Sequence, residues 1–460
     1  FTNHKLSSHY NQRLHKLISK HLTSESIIYS TSKNLVQEFA SRGVAVLCPE
    51  SLGVSSEIHQ RIYEKEKKAV QDQLRITPEV IPEIFDILNA PGLIDACDRL
   101  VGKNWAIVPF IHNAPFISGA RDQHWHKDDN APYNARKQRH HQAIQIEMLY
   151  YPQDVSSEMG PTAIVPFSHY WTFNHEENHD NFAGADHIDF GYLIEGLESI
   201  PVSGPDSKYT LEDIIQRKTK HDRRMMEAVS GLNWPLTSVF EVAPLRAGSV
   251  LLYSHNTFHR GNHRRDDWRQ WTENPRFMWR FWIYRTNEPS GTDSGEVDWC
   301  EESVDPLTGF DLTEVSSGIK STWRYHKHWL ETGKPPSPKI DDTIQSNEYL
   351  KKQALQLFGQ MLEKGDEKEP IRIGAAYELA AIRDQVLAKV LLRKTLLNER
   401  ESVRRAGTYG LVALGTAAED VFLEAIKSPI KWLRKAGVYG LGEVSTLNQE
   451  IFDAVKGCLL

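Results

Sequence analysis

Cysteine is scarce. Four residues, Cys48, Cys97, Cys300 and Cys458, stand far apart and form no CxxC. That spacing argues against a disulfide framework or a zinc-thiolate site, and for buried free thiols in a reducing compartment. No apolar run approaches the ~20 residues that cross a bilayer, so no transmembrane helix is expected. There is no block of Lys and Arg, and the net charge is −7, so the electrostatic footprint of a nucleic-acid binder is missing. The chain opens on Phe1 rather than Met, which is compatible with a removed leader; the expected location is the cytoplasm or the interior of an organelle. What is present is ordinary for a soluble globular protein: 40% hydrophobic and 25% charged residues. A chain of 460 residues exceeds one compact core, which implies two or three domains.

Residues 1–32 are polar and His-rich and read as a peripheral arm. In "NLVQEFASRGVAVLC", a helical pattern of Leu35, Val36 and Phe39 breaks at Gly43 and turns into a β-like run, Val44 to Cys48. "EIHQRIYEKEKKAVQDQL" is a charged amphipathic helix, and two shorter helices follow, divided at Pro91-Gly92. From Trp105 the residues become aromatic and β-branched. "WAIVPFIHNAPF", "QAIQIEMLYYP", "PTAIVPFSH", "GSVLLYSHNTFHRG" and "RFMWRFWIYRT" read as strands. The last places Arg276, Met278, Arg280 and Trp282 on one face. Strands joined by irregular loops without a βαβ rhythm predict an antiparallel double sheet or jelly roll with flanking helices over 33–290. Residues 172–240, longer than a connection needs, read as a lid insertion. A loop-rich connector is expected at 291–345, ending in the Pro-rich "ETGKPPSPKIDDT".

After 345 the sequence repeats itself. "IRIGAAYELAAI", "SVRRAGTYGLVALG" and "WLRKAGVYGLGEVS" place Tyr377, Tyr409 and Tyr439 at intervals of 32 and 30 residues, with Arg, Ala and Gly in phase. Such a period indicates an α-solenoid over 346–460, similar to HEAT-type repeats, whose small residues let helices approach closely.

Chemistry concentrates in "RDQHWHKDDN". At a strand end, residues two apart point to one side, so His126 and Asp128 present an imidazole and a carboxylate together. A third ligand from a distant strand would complete a facial triad, the set that leaves open positions on an iron(II) ion. His259, 133 residues on, is the best candidate, with His255 as its alternative and His124 as the alternative to His126. An Arg on the following strand could grip a dicarboxylate through paired hydrogen bonds.

The ordered set of His126-Lys127-Asp128, "GPTAIVPFSH", "AGSVLLYSHNTFHRG" and an inward Arg resembles the phytanoyl-CoA dioxygenase family across residues 33–290. The resemblance implies a double-stranded β-helix that uses Fe(II), 2-oxoglutarate and O2. It implies His126, Asp128 and His259 as metal ligands and catalytic core. It implies Arg276 as the 2-oxoglutarate arginine, with Arg280 in reserve on the same face and Gln145 as a further contact. Two departures stand out. Seventeen residues separate His259 from Arg276, and Phe167 stands where the family usually has the Gly of "PGSH".

The expected partner is a small-molecule substrate, with no nucleic acid and no membrane. A basic lid helix bearing Arg223 and Arg224 would favour an anionic one. Hydroxylation, desaturation or oxidative ring closure, including kainoid-type cyclisation in secondary metabolism, all fit such an oxygenase. The competing function is a catalytically inactive barrel whose helical repeats dock a protein partner or the chain's own first domain. A zinc hydrolase is a third, weaker alternative, because it would leave the inward Arg without a purpose.

Overall fold

The structure is a computed structural model. It describes residues 29–107, 112–113, 143–169, 210–213, 240–261, 274–336 and 347–459, with isolated positions left out inside these ranges. The expected arm and most of the expected lid therefore lie outside the described residues.

The first helix, α1 (Leu35–Arg42), ends as its sequence predicts. Gly43 takes the left-handed conformation at its C-cap (φ 74°), and the chain continues directly into β1 (Val44–Leu47). After a single helical turn at Pro49–Leu52 comes α2 (Ser56–Gln71), whose N-cap Ser55 accepts a hydrogen bond from Glu57 N. Its buried stripe of His59, Ile62, Glu66 and Ala69 faces the sheet. There His59 Nδ1 lies 2.9 Å from the Tyr150 hydroxyl, and Trp279 Nε1 donates to Glu66 Oε1 at 2.5 Å. Two short helices follow, α3 (Ile84–Leu88) and α4 (Pro91–Val101). Pro91 is the first residue of α4, where its missing N–H matters least.

Among the described residues nine strands make two sheets: β2 (Ala106–Ile107), β3 (His112–Asn113), β4 (Gln145–Tyr150), β5 (Ala163–Ile164), β6 (Phe240–Glu241), β7 (Val250–Ser254), β8 (His259–Arg260) and β9 (Trp279–Tyr284), together with β1. The larger sheet runs β1-β7-β4-β9-β2, with β3 also on β9; the smaller runs β6-β5-β8. All of these pairings are antiparallel, as expected. Alternation sorts the side chains of the larger sheet. Ile146, Met148, Tyr150, Trp279, Phe281 and Ile283 join the core beneath the helices. Leu149, Tyr151, Leu251, Tyr253 and Met278 form a second core with Val44, Val46, Ile164, Phe240 and Val242. That second core is the interior between the sheets.

One expectation is corrected. "GSVLLYSHNTFHRG" is not one strand. The ladder of β7 ends at Ser254, the turn closed by Thr257 N to Ser254 O (2.8 Å) redirects the chain, and β8 pairs in the other sheet. The connector at 291–345 is loop among the described residues except for one helix. It contains α5 (Ser317–Thr332), capped by Ser316 and stopped by Gly333 (φ 70°). The stretch "STWRYHKHWLE" is helical because Ile319, Thr322, Trp323, His326 and Leu330 recur at helical spacing and are all buried.

The helix α5 joins the sheet region to the C-terminal helices. It packs on α1 and α4 of the sheet domain and on α7 (Glu369–Ala380) of the C-terminal region. Lys327 ties it to the preceding loop through Ser294 Oγ and Gly295 O, both at 2.9 Å, and pairs with Glu331 Oε2 one turn on in the same helix at 2.8 Å. The remaining helices are α6 (Asn347–Met361), α8 (Gln385–Thr395), α9 (Glu401–Ala413), α10 (Glu419–Ile426), α11 (Lys431–Val444) and α12 (Gln449–Leu459). The three helices that carry the repeated motif, α7, α9 and α11, pack in series.

The repeat is visible in its hydrogen bonds. Arg404 Nη1 donates to Asn398 O and Glu399 O, and Arg434, 30 residues on, donates to Ser428 O and Pro429 O at the same offsets. Tyr325 of α5 stacks on Tyr377 of α7, with centroids 3.7 Å apart and planes 6° from parallel. Cys48, Cys97 and Cys458 are free thiols, and burial pushes Cys97 well above its ordinary value.

Candidate functional site

His126 and Asp128 lie outside the described residues, as do Arg223 and Arg224. Among the described residues no three His, Cys, Asp or Glu side chains converge to hold a metal. What can be built upward is the other half of the expected site: His259, Arg276, Arg280 and Gln145.

His259 begins β8, opposite Ile164 of β5. Its ring is buried and lies against Tyr253 (centroids 4.8 Å, planes at 53°), which places it in the interior between the sheets. Its Nδ1 is 3.0 Å from Thr257 O. A carbonyl oxygen can only accept, so Nδ1 is the donor in this hydrogen bond, the arrangement in which a neutral imidazole presents Nε2 to a metal. The turn that aims His259 is itself held from behind. Ser254 N and Thr257 Oγ1 both donate to Gly43 O, at 2.8 and 3.1 Å. A Cβ at residue 43 would sit 2.6 Å from Thr257 Oγ1 and 2.7 Å from His169 Nδ1, so glycine is needed there for contact as well as conformation.

His169, the histidine of "PFSH", is fully buried. Its Nε2 reaches Ala40 O at 3.1 Å, an oxygen it shares with His326 Nδ1 of α5 at 3.2 Å. Phe167, which replaces the customary Gly, adopts a left-handed φ of 65°. This conformation costs a non-glycine residue about 1–2 kcal/mol. Its ring compensates by packing 5.7 Å from Trp323 of α5 in the closed core. The motif turn therefore leans on the helix that leads to the C-terminal region.

Arg276 is completely buried. It stands in register with Met278 of the interior core and adjoins Tyr151. Burial pushes the Tyr151 phenol up, and the Arg276 charge opposes that rise. Tyr151 in turn meets Thr162 Oγ1 at 3.1 Å. The backbone on both sides of Arg276 is gripped by one amide: Gln153 Nε2 donates to Pro275 O at 2.6 Å, and Phe277 N donates to Gln153 Oε1 at 3.0 Å. Gln153 was not anticipated, because nothing in its local sequence separates it from a loop polar residue.

Arg280 is engaged. Its Nε and Nη2 donate to Glu147 Oε2 and Oε1 at 2.9 and 3.0 Å, and its guanidinium lies over the Trp282 ring. Glu147 is fully buried and also accepts from the Tyr253 hydroxyl at 2.6 Å. Arg280 thus has its charge matched by Glu147 inside the protein. Glu147 was also missed, although its place beside Gln145 and Leu149 on an alternating strand carried the signal. Gln145 shares that interior face. Its carbonyl accepts from His255 Nδ1 at 3.0 Å, which occupies the alternative histidine, and its buried Nε2 has no hydrogen-bond partner.

The described part of the expected site thus consists of buried polar side chains: the His259 imidazole, the Arg276 guanidinium and the Gln145 amide. Residues 50–270 match the phytanoyl-CoA dioxygenase (PhyH) family. The PhyH match includes His126, Asp128, Gln145 and His259 and ends before Arg276. No curated protein sequence matches the chain. Solved structures resemble it at low identity. One is AviO1 from Streptomyces viridochromogenes Tue57, with 12% identity over 56% of this chain and 97% of that chain, at a TM-score of 0.32. Another is HygX from Streptomyces hygroscopicus with nickel and 2-oxoglutarate bound, with 13% identity over 58% and 91%, at 0.33. A third is the non-heme alpha ketoglutarate dependent carbocyclase SnoK from nogalamycin biosynthesis, with 11% identity over 56% and 88%, at 0.34. No helix among the described residues is long and apolar enough to cross a membrane.

Proposed function

We propose that the chain is an Fe(II)- and 2-oxoglutarate-dependent oxygenase that oxidises an unactivated C–H bond of a small, anionic metabolite. The observation that carries this reading is the buried pair His259 and Arg276 on the interior of an antiparallel double sheet, within and just beyond the PhyH match. The residues fit the cofactors. His259 offers a nitrogen lone pair, Arg276 offers the paired donors a carboxylate requires, and Gln145 holds a buried amide donor without a partner. His126, Asp128 and His259 would hold the metal.

When bound, the metal and 2-oxoglutarate supply the oxidising power: O2 is consumed, one oxygen atom leaves in succinate with release of carbon dioxide, and the substrate is oxidised. The chain's own residues bind and orient. Arg276 would grip the far carboxylate of 2-oxoglutarate, with its backbone fixed by Gln153. The Thr257 carbonyl keeps the His259 proton on Nδ1. The apolar interior of Leu149, Leu251 and Met278 excludes water. Arg223 and Arg224 would favour an anionic substrate, and oxidative ring closure of the kainoid type is the narrow form of the proposal.

The C-terminal helices support a HEAT-like reading through their in-phase arginine clamps. Their contact with the sheet domain through α5 favours intramolecular docking over a free-standing partner surface.

The test is iron-dependent release of succinate from 2-oxoglutarate by the full chain. His126→Ala and His259→Ala should each abolish it. Arg276→Ala should raise KM for 2-oxoglutarate by ~10-fold or more, the ~1.5–3 kcal/mol of a hydrogen bond to a charged group. Full activity in His259→Ala would overturn the assignment, and absence of iron-dependent succinate with a panel of anionic substrates would favour the inactive scaffold.

A further inference from the structure

We infer that Glu147 is a positioning residue that acts on His259 through Tyr253. The inference rests on the reading of His259 as a metal ligand. Glu147 occupies the middle of the central strand β4, on the interior face and wholly out of water. A carboxylate there is expensive unless charge and hydrogen bonds compensate it. Both do. Arg280, next door on β9, meets both carboxylate oxygens, and the Tyr253 hydroxyl on the other neighbouring strand, β7, donates to Oε2 at 2.6 Å.

Tyr253 is thereby held at its tip by Glu147, while its ring lies 4.8 Å from the His259 ring. A phenol fixed at the hydroxyl cannot tilt away from a neighbour at its ring face. The imidazole then has two independent restraints. Thr257 O fixes the direction of Nδ1, and the Tyr253 ring limits rotation of the ring plane about that bond. Together they define where Nε2 points. Residues that orient a metal-bound histidine in this way commonly contribute ~10–100-fold to metal affinity. The arrangement spans three adjacent strands, β7, β4 and β9, so strand pairing itself sets its geometry.

The experiment is a titration of the full-length apoprotein with Ni(II), read by calorimetry, which needs no turnover. Glu147→Gln keeps the shape and removes the charge that holds both partners. Tyr253→Phe keeps the ring and the Glu147–Arg280 pair and removes only the hydroxyl. Ni(II) should bind about 10-fold more weakly to Glu147→Gln, and several-fold more weakly to Tyr253→Phe, whose near-UV circular dichroism should match the parent. A purely structural role would lower the melting temperature and leave the Ni(II) affinity unchanged. Should Glu147→Gln fail to fold, Tyr253→Phe decides: binding within twofold of the parent overturns the inference. His259→Ala separates the two claims. Parental Ni(II) affinity in that variant defeats the metal-site reading, whereas loss there with undiminished binding in Tyr253→Phe defeats only the positioning role.

Discussion

Adding one methyl group to either of two glycines should move stability in opposite directions. Gly374, in the middle of α7, lies against Gly318 of α5. A Cβ built there falls 1.8 Å from Gly318 O and 2.7 Å from Gly318 Cα. Both obstacles are backbone, so the helices must separate by more than an ångström to admit it. The same crossing holds the Tyr325–Tyr377 stack, the Thr322 Oγ1 to Pro370 O hydrogen bond (3.3 Å) and the Ser321–Glu378 hydrogen bond. Overpacking of a tight contact costs about 1–3 kcal/mol, and here neither partner is a flexible side chain. Against this, Gly→Ala within a helix gains at most ~1 kcal/mol. With rigid backbone on both sides the cost lies at the upper end of that range, so Gly374→Ala should lose about 2 kcal/mol net. Gly442, in α11, has no atom within 4 Å of its would-be Cβ, so Gly442→Ala keeps the propensity gain and should be stabilising by ~0.5–1 kcal/mol. Urea unfolding of the two variants beside the parent, followed by circular dichroism, measures the difference. If Gly374→Ala proves as stable as the parent, or moves with Gly442→Ala, then α5 and α7 do not cross at this contact. The described route from the sheet domain to the C-terminal helices would then be wrong.

Two further outcomes follow from buried charge. Arg280→Ala leaves Glu147 without its counter-ion in a closed interior and should cost about 3–5 kcal/mol in a urea titration, whereas the double variant with Glu147→Leu should recover most of that loss; equal destabilisation of both would deny the pairing. Burial, assisted by the Arg285 charge and opposed by the Ala40 carbonyl, pushes His326 from 6.5 down to about 3, so the folded state keeps it neutral while the unfolded chain takes up a proton. Its contribution is complete above pH ~6.5 and is drawn down at up to about 1.4 kcal/mol per pH unit as pH falls toward 3. Stability measured from pH 7 to 4.5 should fall less steeply in His326→Gln than in the parent, and identical slopes would contradict the assignment.

Much of the architecture was legible before any coordinates. Strand alternation is a property of a few consecutive residues. It put Arg280 and Trp282 on one face of β9, and Gly43 marked the change from helix to strand. The repeat was legible for the same reason, since phase is counted along the chain. The split between β7 and β8 was not, because an apolar run does not record which sheet each half will pair with.

Which strands become neighbours is a long-range outcome. Arg276 and Arg280 are indistinguishable by alternation. They part ways only because β4 inserts between β7 and β9 and brings Glu147 against Arg280. Gln153 looks like any loop amide until the chain returns 122 residues later and lays Pro275 across it. Residue order alone determined which faces point inward and which side chains have ligand chemistry. Tertiary closure decided which partner each charge meets inside the fold, because Coulomb and hydrogen-bond energies depend on distance in space rather than separation in sequence.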